Sequence, residues 1–402
     1  MKDVQANNTI VFATPNPTNQ TADGSRQPMT ASIIESFPGQ EFWLEFSELW
    51  HNSLHKPVFK SPHYIQYLAD RYKDNLAILK FSKNGESKGM VFFRKENSML
   101  RLLTDVKADH NFFVLHKSCT HEEIDEFFDC FLMTVKERRW TIQMRVLPLW
   151  ASYSPAFIRA ANNSGLFWNV SSRSVCPILE EESPKALFDK LNSSRELRYR
   201  VNRIKSQLGG EYEILTDAHD LDEWVRKFCT LHIKRWEGTR SPSRYEDASE
   251  QLFLKNCLMA WIQDQTLVRF AVKVNGERIA FVICLIQQNS LIHHSTAYDD
   301  DYYKYSPGKA LILVIAEWMK NHNLNILDFG EGAEPYKYAY TNKERELNEI
   351  SLSPFSNISF ILRVKIKQIL REQVSAHPGI KQFFVEKMKP LLRPKKQHEP
   401  QD

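Results

Sequence analysis

The sequence lacks the features that mark exported, membrane-spanning and metal-binding chains. Its 402 residues contain only six cysteines, which form no CxxC pair and share no metal-like spacing with histidine. We therefore expect reduced cysteines in the core, no bound metal and a cytoplasmic protein. No apolar run reaches the ~18–20 residues of a membrane span, and the N-terminus has no basic and then apolar segment of the kind that directs export.

A strong excess of charge of one sign is also missing. The formal net charge is +4, with 25% charged and 42% hydrophobic residues. This balance is typical of a globular enzyme, and a nucleic-acid-binding protein is not expected from it.

The most informative segment runs from residue 298 to residue 340 and contains a helix start. Ser306 can act as its N-cap, Pro307 fits the first helical position, and Gly308 leaves room for a ligand near the backbone. Lys309 adds charge to the positive end of the helix dipole. Free N–H groups beside a lysine predict a site for a phosphate-bearing ligand. The motif is neither a Walker loop nor GxGxxG, so an ordinary helix with a solvated lysine remains the alternative.

The elements around this helix follow a definite order. Asn275-Gly276 between two β-rich runs is a strong hairpin signal. The predicted strands span 268–274, 279–287, 291–298 and 325–329, and the predicted helices span 220–237, 247–263 and 307–321. Three antiparallel strands, a phosphate-facing helix and a further strand make up the core order of the GNAT acyltransferase fold.

Specific residues strengthen this likeness. The chain resembles the GNAT-related acyltransferases of the CelD/BcsL type, which are associated with bacterial cellulose and exopolysaccharide synthesis and are distantly related to FemAB aminoacyl transferases. The resemblance covers about residues 185–345 well and 40–180 more loosely. It is carried by the motifs Leu231–Trp236, Asn275–Ala280, Ala297–Asp299, Ser306–Gly308, Asp328–Gly330 and Glu334–Lys337.

An internal repeat divides the chain into two copies of one α/β unit. Asn84-Gly85 and Asn275-Gly276 punctuate corresponding strands about 190 residues apart, which is the size of a domain. The first-half helix opens with a capping box from Thr120 to Glu123, whose carboxylates would repel a diphosphate. We therefore expect the cofactor in the second half only.

The fold class predicted is mixed α+β, with tandem GNAT-like domains that each hold a mostly antiparallel sheet flanked by helices. The expected divisions are a disordered leader (1–32), a degenerate GNAT-like domain (33–182), a GNAT acyltransferase domain (183–353) and a basic helical tail (354–402). The tail is a basic amphipathic segment, for which contact with the inner, anionic face of the membrane and packing on the body of the protein are both open.

The resemblance implies transfer of an acyl group from acetyl-CoA or another acyl-CoA, without a covalent enzyme intermediate. Glu331 and Glu334 are the first candidates for the base and His294 is the second, while a structural ion pair of Glu334 with Lys337 is an open alternative. By strand alternation His293 and His294 point to opposite faces of the sheet.

Two further groups of residues complete the expected site. The cofactor-binding candidates are Ser306, Pro307, Gly308, Lys309, Thr296 and Tyr298. The substrate-binding candidates are Arg235, Trp236, Tyr336, Lys337 and Arg198, with a core role for Trp236 and a solvated helix face for Arg198 as alternatives. The expected acceptor is a carbohydrate or nucleotide sugar. A FemAB-like aminoacyl transferase that uses aminoacyl-tRNA and a non-catalytic component of a polysaccharide assembly complex are the rival interpretations.

Overall fold

The computed structural model describes residues 12–13, 27–239, 242–341 and 343–376. Its strands join in a single sheet, in which β6 pairs only with β4. The strands are β1 (Phe12–Ala13), β2 (Thr30–Ile34), β3 (Leu76–Lys83), β4 (Glu86–Glu96), β5 (Met99–Leu102), β6 (Val114–Leu115), β7 (Ile142–Leu147), β8 (Phe167–Glu180), β9 (Glu211–Leu215), β10 (Leu267–Val274), β11 (Glu277–Gln287), β12 (Ser290–Tyr298), β13 (Ile326–Asp328) and β14 (Lys343–Ser353).

Helices cover both faces of this sheet, which confirms the mixed α/β fold class. The helices are α1 (Gln40–His51), α2 (Pro62–Arg71), α3 (His121–Glu137), α4 (Ser154–Asn163), α5 (Pro184–Ser193), α6 (Arg195–Leu208), α7 (Leu221–Trp236), α8 (Ala248–Gln263), α9 (Pro307–Asn321) and α10 (Ile358–Ala376). The predicted helices at 220–237, 247–263 and 307–321 are confirmed as α7, α8 and α9.

The predicted repeat appears as two matching hairpins. Asn84 and Gly85 connect β3 to β4, and Asn275 and Gly276 connect β10 to β11, all four with positive φ. Both Asn-Gly turns therefore have the φ values of type I′ turns, which suit the twist of a hairpin. The capping box predicted for the first-half helix is confirmed as well, since Thr120 and Glu123 bond each other's backbone N–H.

The two halves exchange their last strands. β8 follows β7 along the chain but pairs with β13, whereas β14 follows β13 but pairs with β7. The two exchanged strands then pair with each other from Lys343–Ile178 to Ser353–Phe167. The expected boundary between residues 182 and 183 thus falls after a strand whose partners all lie in the second half, and the domain division stays a prediction.

Three large hydrophobic clusters form the core, one on one face of the sheet and two on the other. Helices α1, α2, α7 and α8 share one hydrophobic cluster on one face of the sheet, and this cluster includes residues from both halves. On the opposite face α3 and α4 cover the first half, and α5, α6 and α9 cover the second. The six cysteines are free thiols, and all but Cys119 are buried.

The ends of the described chain correct the expected divisions in part. Thr30–Ile34, at the end of the expected leader, forms β2 and pairs with β3, because Met29 and Ala31 bury their side chains in the first-half core. Of the expected leader, residues 1–11 and 14–26 lie outside the described residues. In the tail, α10 packs through Phe360 and Val364, while the part of the expected tail from residue 377 onward lies outside the described residues.

The tail helix α10 also has an outward apolar face. Ile358, Leu362 and Ile366 are 54–64% exposed and follow one another at helical spacing. Among the described residues, no helix has the length and apolarity needed to cross a membrane.

Candidate active site

The site lies where two parallel strands separate. β12 and β13 pair only from Ser290–Ile326 to Ile292–Asp328. Beyond Ile292, β12 continues to Tyr298 while β13 has ended, so that this edge of β12 has no partner strand among the described residues. Backbone N–H groups on such an open edge are free to bind a carbonyl oxygen.

Beside the open edge of β12 is a cavity of about 270 Å³ against the start of α9, which we call the helix-start cavity. It brings together all six residues predicted to bind the cofactor: Ser306, Pro307, Gly308, Lys309, Thr296 and Tyr298. Arg235 and Tyr336, predicted to bind the acceptor, line the same cavity. Arg235 lies over the ring of Tyr298, 4.3 Å from its centroid.

The N-cap of α9 differs from the expectation. Ser306 occupies the cap position with φ 51° and ψ 57°, and its side chain caps no N–H of the helix. In that left-handed conformation its hydroxyl lies 3.4 Å from the carbonyl of Tyr303, to which it donates instead. No side chain caps the first turn of α9, and Pro307 has no N–H. The N–H groups of Lys309 and Ala310 donate to the carbonyl of Ser306 at 3.0 and 3.2 Å, which leaves the N–H of Gly308 for a ligand among the described residues.

Charged side chains surround this helix start. Lys309 Nζ lies 2.7 Å from Glu196 Oε1, and both side chains are about half exposed. Arg200 and Arg203 donate to the carbonyl of Lys304, at 3.1 and 3.0 Å, and so fix the turn that leads into α9. Arg198, which was predicted to bind the acceptor, lies on α6 with these two arginines. It is exposed and does not line the helix-start cavity.

The adjacent histidines of β12 face opposite sides of the sheet, as predicted. His293 is buried, lines the helix-start cavity and contacts the ring of Phe329. Burial lowers the pKa of His293 to about 4, so its ring is neutral at neutral pH. His294 faces the other side, between the rings of Phe59 and Trp261.

Two histidine–aspartate pairs join the halves at this point. His294 Nδ1 lies 2.7 Å from Asp109 Oδ2, and His110 Nε2 lies 3.1 Å from Asp328 Oδ2. His294 also lines a small cavity between the halves together with Asp105, Lys107 and Arg244, among others; we call it the dyad cavity.

Asp328, the last residue of β13, fixes this end of the strand through its hydrogen bonds. Its Oδ1 accepts hydrogen bonds from Cys176 Sγ at 2.7 Å and from the N–H of Gly330 at 2.8 Å. Burial by itself would raise the pKa of Asp328, but hydrogen bonds from His110, Cys176 and Gly330 outweigh it and lower that pKa. His110, Cys176 and Asp328 place potential metal-ligand atoms within 4.8 Å of one another, although the carboxylate already accepts bonds from both neighbours.

Each of the two candidate glutamates in the loop after β13 forms an ion pair with a cationic side chain. The Oε1 atom of Glu331 lies 3.2 Å from Arg173 Nε, and the Oε2 atom of Glu334 lies 2.8 Å from Lys337 Nζ. Lys337 is 3% exposed and also donates to the carbonyls of Gly330, Glu331 and Gly332. Its ammonium therefore shapes the loop, in agreement with the alternative of a structural ion pair with Glu334, and acceptor binding by Lys337 stays a prediction.

The same loop is hydrogen-bonded to the His294–Asp109 pair. The N–H of Glu331 donates to Asp109 Oδ1 over 2.9 Å. Gly330 has φ +70°, and a Cβ at this position would clash with Asp109 Oδ1. The glycine thus permits the close approach that places the Asp109 carboxylate between the loop and His294. Trp236, in contrast, stacks against His232 at a centroid distance of 6.1 Å and does not line the helix-start cavity.

Asp109 is the site residue that sequence reasoning missed. It lies 185 positions before His294 in the chain, and no local motif links the two. The available signal was the polar run Asp109-His110-Asn111 ahead of an apolar segment of the first half. All three residues of this run are buried, which is unusual for polar residues without a function or a partner.

Comparison with known proteins agrees with this geometry. Residues 192–338 match a family model described as "Acetyltransferase (GNAT) domain". This part of the chain is similar to GNAT domains. It extends from the end of α5 to the loop after β13 and so contains the helix-start cavity, His294 and both candidate glutamates. A search of curated proteins by sequence gave no match.

Solved structures resemble most of the chain, and not only residues 192–338. FemX has a TM-score of 0.56 at 10% identity, over 77% of this chain and 95% of its own. L-PGS from Bacillus licheniformis has a TM-score of 0.55 at 12% identity, over 84% and 98%. The C-terminal domain of a putative lysylphosphatidylglycerol synthetase from Agrobacterium fabrum has a TM-score of 0.52 at 9% identity, over 80% and 95%. At these identities the likeness concerns the fold alone.

Proposed function

We propose that this protein is an acyltransferase that moves an acyl group from acetyl-CoA or another acyl-CoA to an amine or hydroxyl of an acceptor. The helix-start cavity carries the proposal, because it combines an uncapped helix N-terminus with the open edge of β12. A helix N-terminus favours a diphosphate through its N–H groups and its dipole. The open strand edge favours the thioester carbonyl.

The donor is held by a small number of groups in this proposal. The diphosphate lies at the first turn of α9, where Gly308 leaves open space around its Cα. The thioester extends along β12, where N–H groups beyond Ile292 serve as donors to the oxyanion that forms during attack. His293, which is neutral and buried, lines the path between these two positions.

His294 is the proposed base. Asp109 binds its Nδ1 and so fixes the tautomer that leaves Nε2 free to accept a proton. The acceptor nitrogen or oxygen attacks the thioester carbon, its proton passes to His294 Nε2, and the C–S bond breaks to release CoA as the thiolate. The Asp109 carboxylate stabilises the imidazolium that results. Glu331 and Glu334 are less suited to this role because each is already bound to a cation.

The acceptor enters, in this proposal, from the side of the sheet on which the two halves meet. His294 opens there into the dyad cavity, opposite to the helix-start cavity. The motifs that resemble the CelD/BcsL type support a carbohydrate or nucleotide-sugar acceptor in cell-envelope polysaccharide synthesis. The fold shared with FemX supports aminoacyl transfer from tRNA as the second candidate, and that reaction would depend on RNA.

Replacement of Gly308 by glutamate tests the donor site. A side chain at Gly308 meets open space, and a carboxylate in the first helical turn is favourable for the dipole. We therefore expect Gly308→Glu to fold with an unchanged or higher melting temperature but to lose CoA binding at least tenfold by calorimetry, because the carboxylate repels the diphosphate.

The matched control is Gly39→Glu at the start of α1, where a side chain also meets open space. This variant should bind CoA like the wild type. Equal CoA affinity of the Gly308→Glu and wild-type proteins would contradict the proposed donor site. Acyl transfer that requires RNA and not acyl-CoA would instead support the aminoacyl-tRNA reaction, and CoA binding without any transfer would support a non-catalytic role.

Contact with an anionic membrane face is also proposed, through α10. Its outward side presents Ile358, Leu362 and Ile366 beside Arg363 and Lys365, all exposed, which is the pattern of an interfacial helix. We expect flotation with phosphatidylglycerol vesicles to fall several-fold when Leu362 and Ile366 are both replaced by Asp. Unchanged flotation would leave α10 as a helix that only packs on the body.

A further inference from the structure

Four arginines converge on one cavity between the halves. It encloses about 40 Å³, and its lining includes Arg94, Arg101, Arg145 and Arg173; we call it the arginine cavity. Glu331, from the loop after β13, lines the same cavity. Its size allows a carboxylate or a phosphate group, since a single water needs roughly 10–15 Å³ of such space.

The sheet places these like charges together. Arg94 on β4 is directly opposite Arg101 on β5, and Arg101 is opposite Gln143 on β7. Arg145 follows two residues after Gln143 and so points to the same face. Like charges directly opposite across strands are destabilising, so that their presence in one cavity is unfavourable unless a counter-charge is bound there.

The carboxylates nearby do not compensate all four charges. Arg94 and Arg101 share the single carboxylate of Glu96, and Arg173 pairs with Glu331 and, at 3.7 Å, with Glu349. Within the residues that the structure describes, Arg145 has no carboxylate at ion-pair distance.

The charged form of Arg145 is disfavoured in this cluster of arginines. Burial, followed by repulsion from Arg173, lowers its pKa. The Nε atom of Arg94 and the hydroxyl of Thr104 are buried, and within the described residues they have no hydrogen-bond partner, whereas the Nε atoms of Arg101 and Arg173 lie 2.7 and 3.2 Å from carboxylate oxygens of Glu96 and Glu331. Arg94 and Thr104 both line the cavity, so an oxygen-rich anion would satisfy two donors that the protein leaves open.

The arginine cavity is also connected to the proposed base. Asp105 lines both the arginine cavity and the dyad cavity. The N–H of Glu331 binds the same Asp109 carboxylate that holds His294. The arginine cavity and the dyad cavity therefore lie next to each other, on either side of Asp105.

We propose that the arginine cavity binds an oxyanion, a carboxylate or phosphate group of the acceptor, and so selects acceptors that carry a negative charge. Arginine suits this role because its planar fork donates two parallel hydrogen bonds to either group. That the anion belongs to the acceptor rests on the proposed function, whereas the anion site itself does not.

Thermal unfolding with inorganic phosphate and with succinate tests the site, at ionic strength matched with sodium chloride and with CoA present to fill the helix-start cavity. We expect either or both anions to raise the wild-type midpoint by about 2 °C or more at saturation, and the larger rise identifies the preferred group. Arg145→Gln should remove this rise. Its loss leaves no carboxylate unpaired within the described residues, so the anion-free variant should melt at or above the wild-type midpoint.

The control is Arg159→Gln on α4, whose side chain is exposed and pairs with Asp125 outside the cavity. It should keep the full anion response. No anion response in the wild type, or the same response in Arg145→Gln, would overturn the proposal. If the anion response depends on Arg145 but CoA gives no stabilisation of its own, the proposed function fails while the anion site stands.

Discussion

One hydrogen bond between two side chains decides how the proposed reaction starts. His294 Nδ1 and Asp109 Oδ2 lie 2.7 Å apart and come from different halves of the chain. His294→Gln should lower kcat about 10²–10⁴-fold, the usual contribution of a positioned base, and leave the CoA affinity unchanged. Asp109→Asn should also lower kcat, since both carboxylate oxygens accept hydrogen bonds, one from His294 and one from the N–H of Glu331, and an amide offers only one acceptor.

A second histidine–aspartate pair offers a matched control for this experiment. His63 Nδ1 also lies 2.7 Å from an aspartate, Asp264, but its side chain is 48% exposed and lines neither proposed cavity. His63→Gln should keep full activity. Retention of activity in His294→Gln would assign the base to another group, with Glu331 as the next residue to replace.

Single residues also show where sequence reasoning succeeded and where it could not. The motif from Ser306 to Lys309 predicted one wall of the helix-start cavity because its signals are local: a proline, a glycine and a lysine at a helix start. The φ of Ser306 was not predictable, since a left-handed serine is uncommon and no neighbouring residue requires it. The ion pair of Glu334 with Lys337 was one of the expected alternatives because the two residues lie three positions apart, whereas the pairing of Glu331 with Arg173 depends on packing that the sequence does not encode locally.

Among the elements, the loop after β13 is the most constrained. Gly330 has a positive φ and faces Asp109 Oδ1 without room for a Cβ. We expect Gly330→Ala to displace the Asp109 carboxylate and to lower kcat tenfold or more, together with a loss of stability from strain of about 1–3 kcal/mol. Steady-state kinetics and thermal unfolding measure the two effects.

A variant in the turn between β3 and β4 separates the effect of backbone strain from the effect of displacing Asp109. Gly85 has a similar φ, +79°, but a Cβ there meets open space. Gly85→Ala should therefore lose stability through backbone strain alone and keep its kcat. An equal loss of kcat in both alanine variants would show that the Asp109 contact at Gly330 has no special role.

The sequence predicted individual helices and strands better than it predicted which strands pair in the sheet. The hairpin of β10 and β11 was predicted because Asn275-Gly276 carries its own turn chemistry, and helix α9 because proline starts it and its apolar residues recur at helical spacing. The pairing of β8 with β13 and β14 depends on residues about 150 or more positions apart in the chain. No local signal in the sequence shows whether β8 and β14 pair with each other or stay in two separate sheets. The strand exchange was therefore not predicted.

The exchange of β8 and β14 makes the two halves one cooperative unit. Leu79 lies in the first-half core and Leu291 in the second, and both are fully buried. Leu79→Ala and Leu291→Ala should each destabilise the protein by about 2–5 kcal/mol. We expect one calorimetric transition for the wild type, and each variant should lower the temperature of that same transition.

Independent halves would behave differently. Two transitions, of which each variant shifts only one, would show that β8 and β14 do not couple the domains. The joint sheet also explains the site, because the base and its carboxylate partner come from different halves. The arginine cavity is built in the same way, from β4, β5 and β7 of the first half, Arg173 of the exchanged strand β8, and Glu331 of the second half.

The position of bound CoA tests the central claim most directly. A crystal structure of the protein with CoA should show the diphosphate within about 3 Å of the N–H of Gly308 in the first turn of α9, and the sulfur near the edge of β12 beyond Ile292. CoA density at any other position, or at the capped start of α3, would contradict the account.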